Sequence, residues 1–387
     1  MAEATQTKTT IAIDPVTRIE GHLKAEVVVE NGKVVDAKLT GGMYRGFESI
    51  LRGRHPRDAA QIVQRICGVC PTAHATAASI ALEKASGTAV PSNGRATRNL
   101  ILGANYLQSH ILHFYHLAGQ DFIQGPDTAP FMPRYAKPDL RLPPAINAVG
   151  VDQYVEALEV RAVCHEMVAL FGGRMPHVHG ILAGGAAEIP TKEKLVEYAA
   201  RFKKVRKFVE EKYLPVVYLV GSQYKDLGAF GQGYRNALCV GVFPLDDEGK
   251  EFVFKAGAYQ DGKDMPFDVK RVTEDVKFSW FADSTSGKPF TKGENVLEVD
   301  KKGAYSFVKA PLYNGKPMEV GPLARMWVNN KPISPIGQKL FKEYFGLDVK
   351  NFRDMGEDLA FSLLGRHVAR AEESYLMLDV VERFLKE

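Results

Sequence analysis

The chain has 387 residues, 45% of them apolar and 25% charged, which are ordinary values for a folded globular protein and exclude disordered, collagen-like and disulfide-scaffold classes. Fifty Lys plus Arg against forty-six Asp plus Glu leave a net charge of +4, too small and too mixed in sign to imply nucleic acid or an acidic membrane as a partner. Four cysteines, Cys67, Cys70, Cys164 and Cys239, do not make a disulfide framework in a chain of this length.

In chain order, residues 1–10 are polar and carry acid as well as Lys, without the apolar run of an export signal. Residues 10–13, 23–29 and 34–39 read as strands, the last two joined by Asn31-Gly32, which supplies the positive φ angles of a tight hairpin. A Pro-initiated helical stretch over 56–84 breaks at Cys67-Gly68-Val69-Cys70-Pro71, because Gly and Pro interrupt a continuous helix. Helical patterns follow over 97–118 and 151–171, and a third places Leu195, Tyr198, Phe202, Val205 and Val209 on one face. The uncharged stretch 99–120 is long enough to span a bilayer, yet it holds three His, two Asn, two Gln and a Ser, so it reads as a helix buried in protein.

The basic run over 201–207 lies opposite that apolar face, with Glu197 four residues before Arg201, so a solvated, ion-paired surface is expected. Residues 214–328 are rich in Gly, Pro, Tyr and Val, and predict strands and excursions rather than another helix pair. Residues 356–387 read as one amphipathic helix with no Gly, Asn or Pro stop, which predicts a chain that is C-terminally incomplete at Glu387. The expected fold class is α+β and predominantly helical. Its parts are a small N-terminal β unit (1–55), a long-helix core (56–213), a β-containing excursion (214–330) and a closing helical segment (331–387).

Cys67 and Cys70 place two soft sulfur donors three residues apart, with Gly68 expected to let the backbone curl until both face one metal. The spacing alone leaves a metal site, a redox dithiol and a structural pair open. His110, His113 and His116 rise in steps of three, which drift by about 60° each around a helix, so they predict buried hydrogen-bonding histidines rather than one ion's ligands. Cys164 and Cys239 sit in apolar contexts that suit core packing.

A longer pattern surrounds the cysteine pair: Arg18-Ile19-Glu20-Gly21-His22, Tyr44-Arg45-Gly46-Phe47-Glu48 and Arg65-Ile66-Cys67-Gly68-Val69-Cys70-Pro71-Thr72-Ala73-His74. With these segments the chain resembles the large subunit of nickel-iron hydrogenases, and the likeness continues through the His-rich stretch 106–116, Gly172-Gly173-Arg174-Met175-Pro176-His177, Glu319-Val320-Gly321-Pro322-Leu323-Ala324-Arg325 and Gly365-Arg366-His367. Pro71 and Gln108-Ser109 resemble the nickel-iron-selenium subgroup; where many members carry Asp, this chain has Ser109.

The resemblance implies reversible, heterolytic oxidation of H2 at a Ni-Fe centre whose iron carries CO and cyanide. It makes Cys67 a terminal nickel ligand, Cys70 a bridging one, His74 a hydrogen-bond donor to the bridging sulfur and Glu20 the proton acceptor. Glu48 becomes a ligand of Mg2+ or a similar cation. The family's second cysteine pair, in a Asp-Pro-Cys-x-x-Cys-like closing segment, is not among these residues, so the chain alone is expected not to assemble the centre.

With no spare cysteines for iron-sulfur clusters, a small subunit carrying them is the implied partner. Co-export on that partner's signal implies a periplasmic location, with membrane association and a cytoplasmic location as alternatives. Two rival readings are a nickel-free relative from quinone-reducing respiratory complexes, which lack the Cys pair, and a zinc or dithiol module built on Cys67 and Cys70.

Overall fold

The computed structural model describes residues 8–125, 129 and 139–387; the polar N-terminal stretch lies largely outside them. The chain forms two compact units, one of residues up to Arg52 together with Asp268–Met318, the other of Gly53–Phe267 with Glu319–Glu387.

The first unit opens with the antiparallel strands β1 (Lys8–Ile13), β2 (Leu23–Glu30) and β3 (Lys33–Gly41), in that spatial order. Asn31 and Gly32 turn the hairpin at φ 52° and 74°, the left-handed pair that suits the right-handed strand twist. Ile11 and Ile13 pair with Val27 and Ala25, and directly opposed residues share a face, so the alternation of the sequence becomes one apolar side of the sheet. After β3 the five-residue helix α1 (Phe47–Leu51) ends the first run. The later segment returns to this sheet: Phe307 N–H donates to the Gly41 carbonyl at 2.9 Å, Gly41 N–H donates to Ser306 Oγ at 3.1 Å, and the Phe307 and Tyr44 rings lie 5.5 Å apart.

The second unit is a helical core. Short turns over Ala59–Ile62 and Val63–Ile66 lead to the cysteine loop, and α2 (Pro71–Ser86) starts at Pro71, whose fixed φ and missing N–H suit a first helical position. Then come α3 (Ser92–Leu112), α4 (Pro144–Gly172), α5 (Lys192–Phe208) and α6 (Leu214–Gln223). The predicted helix over 97–118 is thus longer at its start and passes into a wider π-type turn at His113–Ala118. On α5, Tyr198, Phe202 and Val205 are buried as the periodicity requires. Both of its arginines are ion-paired, Arg201 with Glu166 at 2.8 Å and Arg206 with Glu382 at 2.9 Å.

Residues 214–328 depart from the expectation of strands at both ends. The β-branched run Val216–Val217 belongs to α6, because Pro215 falls in the first turn where its missing N–H costs nothing and both valines are buried. Between lie β4 (Ala237–Cys239), β5 (Gly257–Gln260) and β6 (Lys263–Met265), in the sheet order β6-β5-β4. Pro322 then starts α7 (Pro322–Val328). The closing stretch is not one helix: a short turn Glu357–Ala360 precedes α8 (Leu363–Lys386), whose Ser362 side chain caps it by accepting from Gly365 N–H at 3.1 Å. No helix is long and apolar enough to cross a membrane among the described residues.

Candidate metal centre

Cys67 and Cys70 occupy the loop between the Val63–Ile66 turn and α2, both half-buried and neither in a disulfide. Val69 N–H and Cys70 N–H donate to Cys67 Sγ at 3.4 and 3.3 Å, so the loop wraps around its first sulfur. Gly68 does not act as expected. Its φ is not left-handed and a Cβ there would meet nothing within 4 Å, so the two N–H···S contacts make the curl and the glycine leaves open space beside the thiols. Cys70 is the residue from which α2 departs, a position where helix N–H groups favour a thiolate. His74 follows on the first turn of α2, and burial pushes its pKa down, which keeps it neutral near pH 7 with an N–H to donate.

A second loop braces this one from behind. The Val178 carbonyl accepts from Gln64 Nε2 at 2.9 Å and Gln61 Nε2 at 3.3 Å, and Thr72 Oγ1 lies 4.0 Å from Met175 Sδ. Gly180 is required there: a Cβ would sit 2.4 Å from the Phe171 carbonyl oxygen. The segment Gly172 to His177, singled out by resemblance, together with the adjoining Val178 therefore contacts residues on both sides of the cysteines.

Glu20 and Glu48 belong to the first unit, while Cys67, Cys70 and His74 belong to the second. Glu20 is exposed on the loop between β1 and β2, a loop shaped by Arg18 at φ 54° and Gly21 at φ 96°. Glu48 is exposed in the first turn of α1. Among the described residues no group of three or more His, Cys, Asp or Glu is gathered where it could hold a metal ion. The donors present fit part of a nickel-iron ligand set: they are soft and adjacent, and the first sulfur accepts two N–H bonds.

The three histidines diverge as the helix geometry demands. His110 Nε2 meets Glu373 at 2.7 Å, His116 Nε2 meets the Tyr154 carbonyl at 3.2 Å, and the His113 ring packs 5.9 Å from that of His367. Burial pushes all three pKa values down, His113 to about 3. Cys164 and Cys239 are buried in the apolar core, and burial lifts the Cys164 thiol to about 12.

Sequence reasoning missed three polar networks. Glu373 on α8 is fully buried between His110 and Arg325, whose Nη2 lies 2.7 Å away; Glu319 likewise takes Arg366 through two bonds of 2.7 Å. Both guanidiniums belong to segments carried by the resemblance, but their partners lie 48 and 47 residues away in sequence. The third group, Gln108 with Arg161 and His165, gives no signal in spacing at all.

A model of the nickel-dependent hydrogenase family matches residues 45–127 and 122–387, and a HoxL-like model matches residues 10–40. The periplasmic [NiFeSe] hydrogenase large subunit of Desulfomicrobium baculatum is 59% identical over 98% of this chain and 76% of its own length. The hydrogenase-2 large chain of Escherichia coli K12 is 33% identical over 82% of this chain and 67% of its own. The solved Ni-Fe-Se hydrogenase of D. vulgaris Hildenborough superposes with a TM-score of 0.96 at 70% identity, over 98% of this chain and 79% of that one. With its cysteine loop, its bracing segment and nearly its whole length matched, the chain belongs to the nickel-dependent hydrogenase family.

Proposed function

We propose that this chain is the large, catalytic subunit of a hydrogenase that interconverts H2 with protons and electrons. The observation that carries the proposal is the Cys67–Cys70 loop, two half-buried thiols at the start of α2 with N–H donors turned onto the first sulfur, in a chain of this family. Cys67 and Cys70 would hold the nickel-iron centre, together with two further donors. When bound, a Ni-Fe centre with CO and cyanide on the iron supplies the electron-accepting Lewis acid at which H2 is split heterolytically.

The chain's own residues do the rest. His74 would donate a hydrogen bond to the Cys70 sulfur, which would orient it and limit its electron density. Glu20 receives the proton; an exposed carboxylate can pass it on to solvent or to a partner. Glu48 offers hard oxygen ligands to Mg2+ or a similar cation. Electrons leave through a small subunit carrying iron-sulfur clusters, because Cys164 and Cys239 are sealed in the core and cannot hold clusters here. The [NiFeSe] relative named periplasmic supports a periplasmic site of action, which export together with the small subunit would reach.

The test is hydrogen uptake with an artificial electron acceptor, together with nickel and iron analysis, on the complete complex and on its Cys70→Ser variant. Loss of uptake and of nickel in the variant is expected. Equal activity, or zinc in place of nickel in the parent, would overturn the assignment.

A further inference from the structure

The cysteine loop is tied to the helical core through one side chain. Gln108, fully buried on α3, donates from Nε2 to the Val69 carbonyl at 2.8 Å, with Ser109 Oγ at 2.8 Å and Asn105 Oδ1 at 3.3 Å also in reach of that nitrogen. Its Oε1 accepts from Arg161 Nε at 3.2 Å and lies 3.3 Å from His165 Nε2, both on α4. Burial, helped by Arg161, lowers the His165 pKa to about 4, so the ring is neutral and its Nε2–H donates to the carboxamide oxygen.

The carboxamide has one possible orientation. A guanidinium only donates and a backbone carbonyl only accepts, so Gln108 must turn its oxygen to Arg161 and its nitrogen to Val69. The peptide Val69–Cys70 repeats the pattern: its carbonyl accepts from Gln108 while its N–H, that of Cys70, donates to Cys67 Sγ at 3.3 Å. Two amides thus stand in series between a cation and a sulfur. Each donates more strongly because its oxygen is engaged, and such chains strengthen by roughly 10–30% per bond.

We propose that Arg161 and Gln108 are positioning residues that act on Cys67 through this amide relay: they fix the 69–70 peptide and draw electron density from the sulfur without touching it. The proposal rests on the reading of Cys67 as a metal ligand for its consequence, but the relay is a property of the chain itself.

Valine precedes cysteine at two places only, Val69–Cys70 and Val163–Cys164. Labelling valine carbonyls with 13C and cysteine amides with 15N therefore yields two NMR cross-peaks, one reporting the relay and one reporting the α4 core. In the 387-residue chain, Arg161→Met is expected to move the Cys70 amide proton upfield and speed its exchange roughly two- to tenfold, the range of one hydrogen bond. In a Gln108→Leu background the same Arg161→Met change is expected to do nothing further. Gln108→Glu, which keeps the size and the Arg161 contact but removes the donor to Val69, is expected to shift the Cys70 amide as Gln108→Leu does.

An unmoved Cys70 amide, or an Arg161 effect that persists without Gln108, overturns the relay. In the complete complex, Arg161→Met is expected to lower the midpoint potential of the nickel EPR signal, since the sulfur donates more charge; an unchanged potential refutes the electronic consequence. A complex without nickel, alongside the expected NMR shifts, would sink the metal reading and leave the relay standing.

Discussion

Replacing Glu373 by Gln tests whether the buried charges hold the helical core together. The carboxylate is fully buried on α8 and accepts from Arg325 on α7 and His110 on α3, so one side chain joins three helices. Burial alone would push its pKa up; Arg325 and His110 more than reverse that and bring it from 4.5 to about 2. At about 1.4 kcal/mol per pH unit, that depression corresponds to about 3 kcal/mol of native-state stability. Independently, removing one partner of a buried ion pair costs about 3–5 kcal/mol, since a desolvated guanidinium is left behind. The two routes agree.

Because the folded pKa lies below the unfolded one, the contribution is complete above pH 4.5 and vanishes as pH falls through about 2. Urea unfolding followed by the fluorescence of Trp327, two residues from Arg325, measures the difference between the parent and Glu373→Gln across this range. The expected result is a gap of about 3 kcal/mol at pH 7 that closes between pH 4.5 and 2. A variant as stable as the parent at pH 7, or a gap independent of pH, would refute the reasoning.

Glu372 should behave in the opposite sense. Burial lifts it to about 7 against the opposing bonds from Tyr218 and Ser334, so parental stability declines as pH rises from 4.5 towards 7, and Glu372→Gln should flatten that slope in the same titration. Gly365→Ala should lower stability by about 2–3 kcal/mol, because the new Cβ would stand 2.2 Å from the carbonyl oxygens of Leu359 and Ala360; a thermal melt equal to the parent's would contradict it. Tyr198→Phe should cost about 1 kcal/mol by removing the 2.8 Å bond to the Leu100 carbonyl, measured as a fall in urea midpoint at unchanged slope.

Local chemistry was the legible part of this molecule. Asn31-Gly32 announced its hairpin, Gly68 and Pro71 the break in the helical stretch over 56–84, and the Tyr198–Phe202–Val205 stripe its buried face, because each depends on neighbours within a few residues. Burial hid the rest. Val216 and Val217 look like strand residues and lie in a helix, since the core rather than propensity decides their state. Spacing singled out Cys67 and Cys70, which one loop holds together, and motif singled out Glu20, Glu48 and His74 as candidates. Arg161 and His165 had neither, and Gln108 only its subgroup resemblance, since what joins the three is nearness in space between α3, α4 and a loop. Gly68 shows the converse: a residue whose presence suggested a backbone requirement that the φ angle does not display.

The first unit joins residues before Arg52 to residues after Asp268, and this orders events at the ribosome. When β1 to β3 emerge, the segment bearing Ser306 and Phe307, which completes their sheet edge, has yet to be translated. At about 5–20 residues per second the wait is roughly 13 to 53 seconds. Most of the helical core, including the cysteine loop, leaves the ribosome in that interval. Synthesis thus presents the nascent thiols while the unit that carries Glu20 and Glu48 is still unfinished.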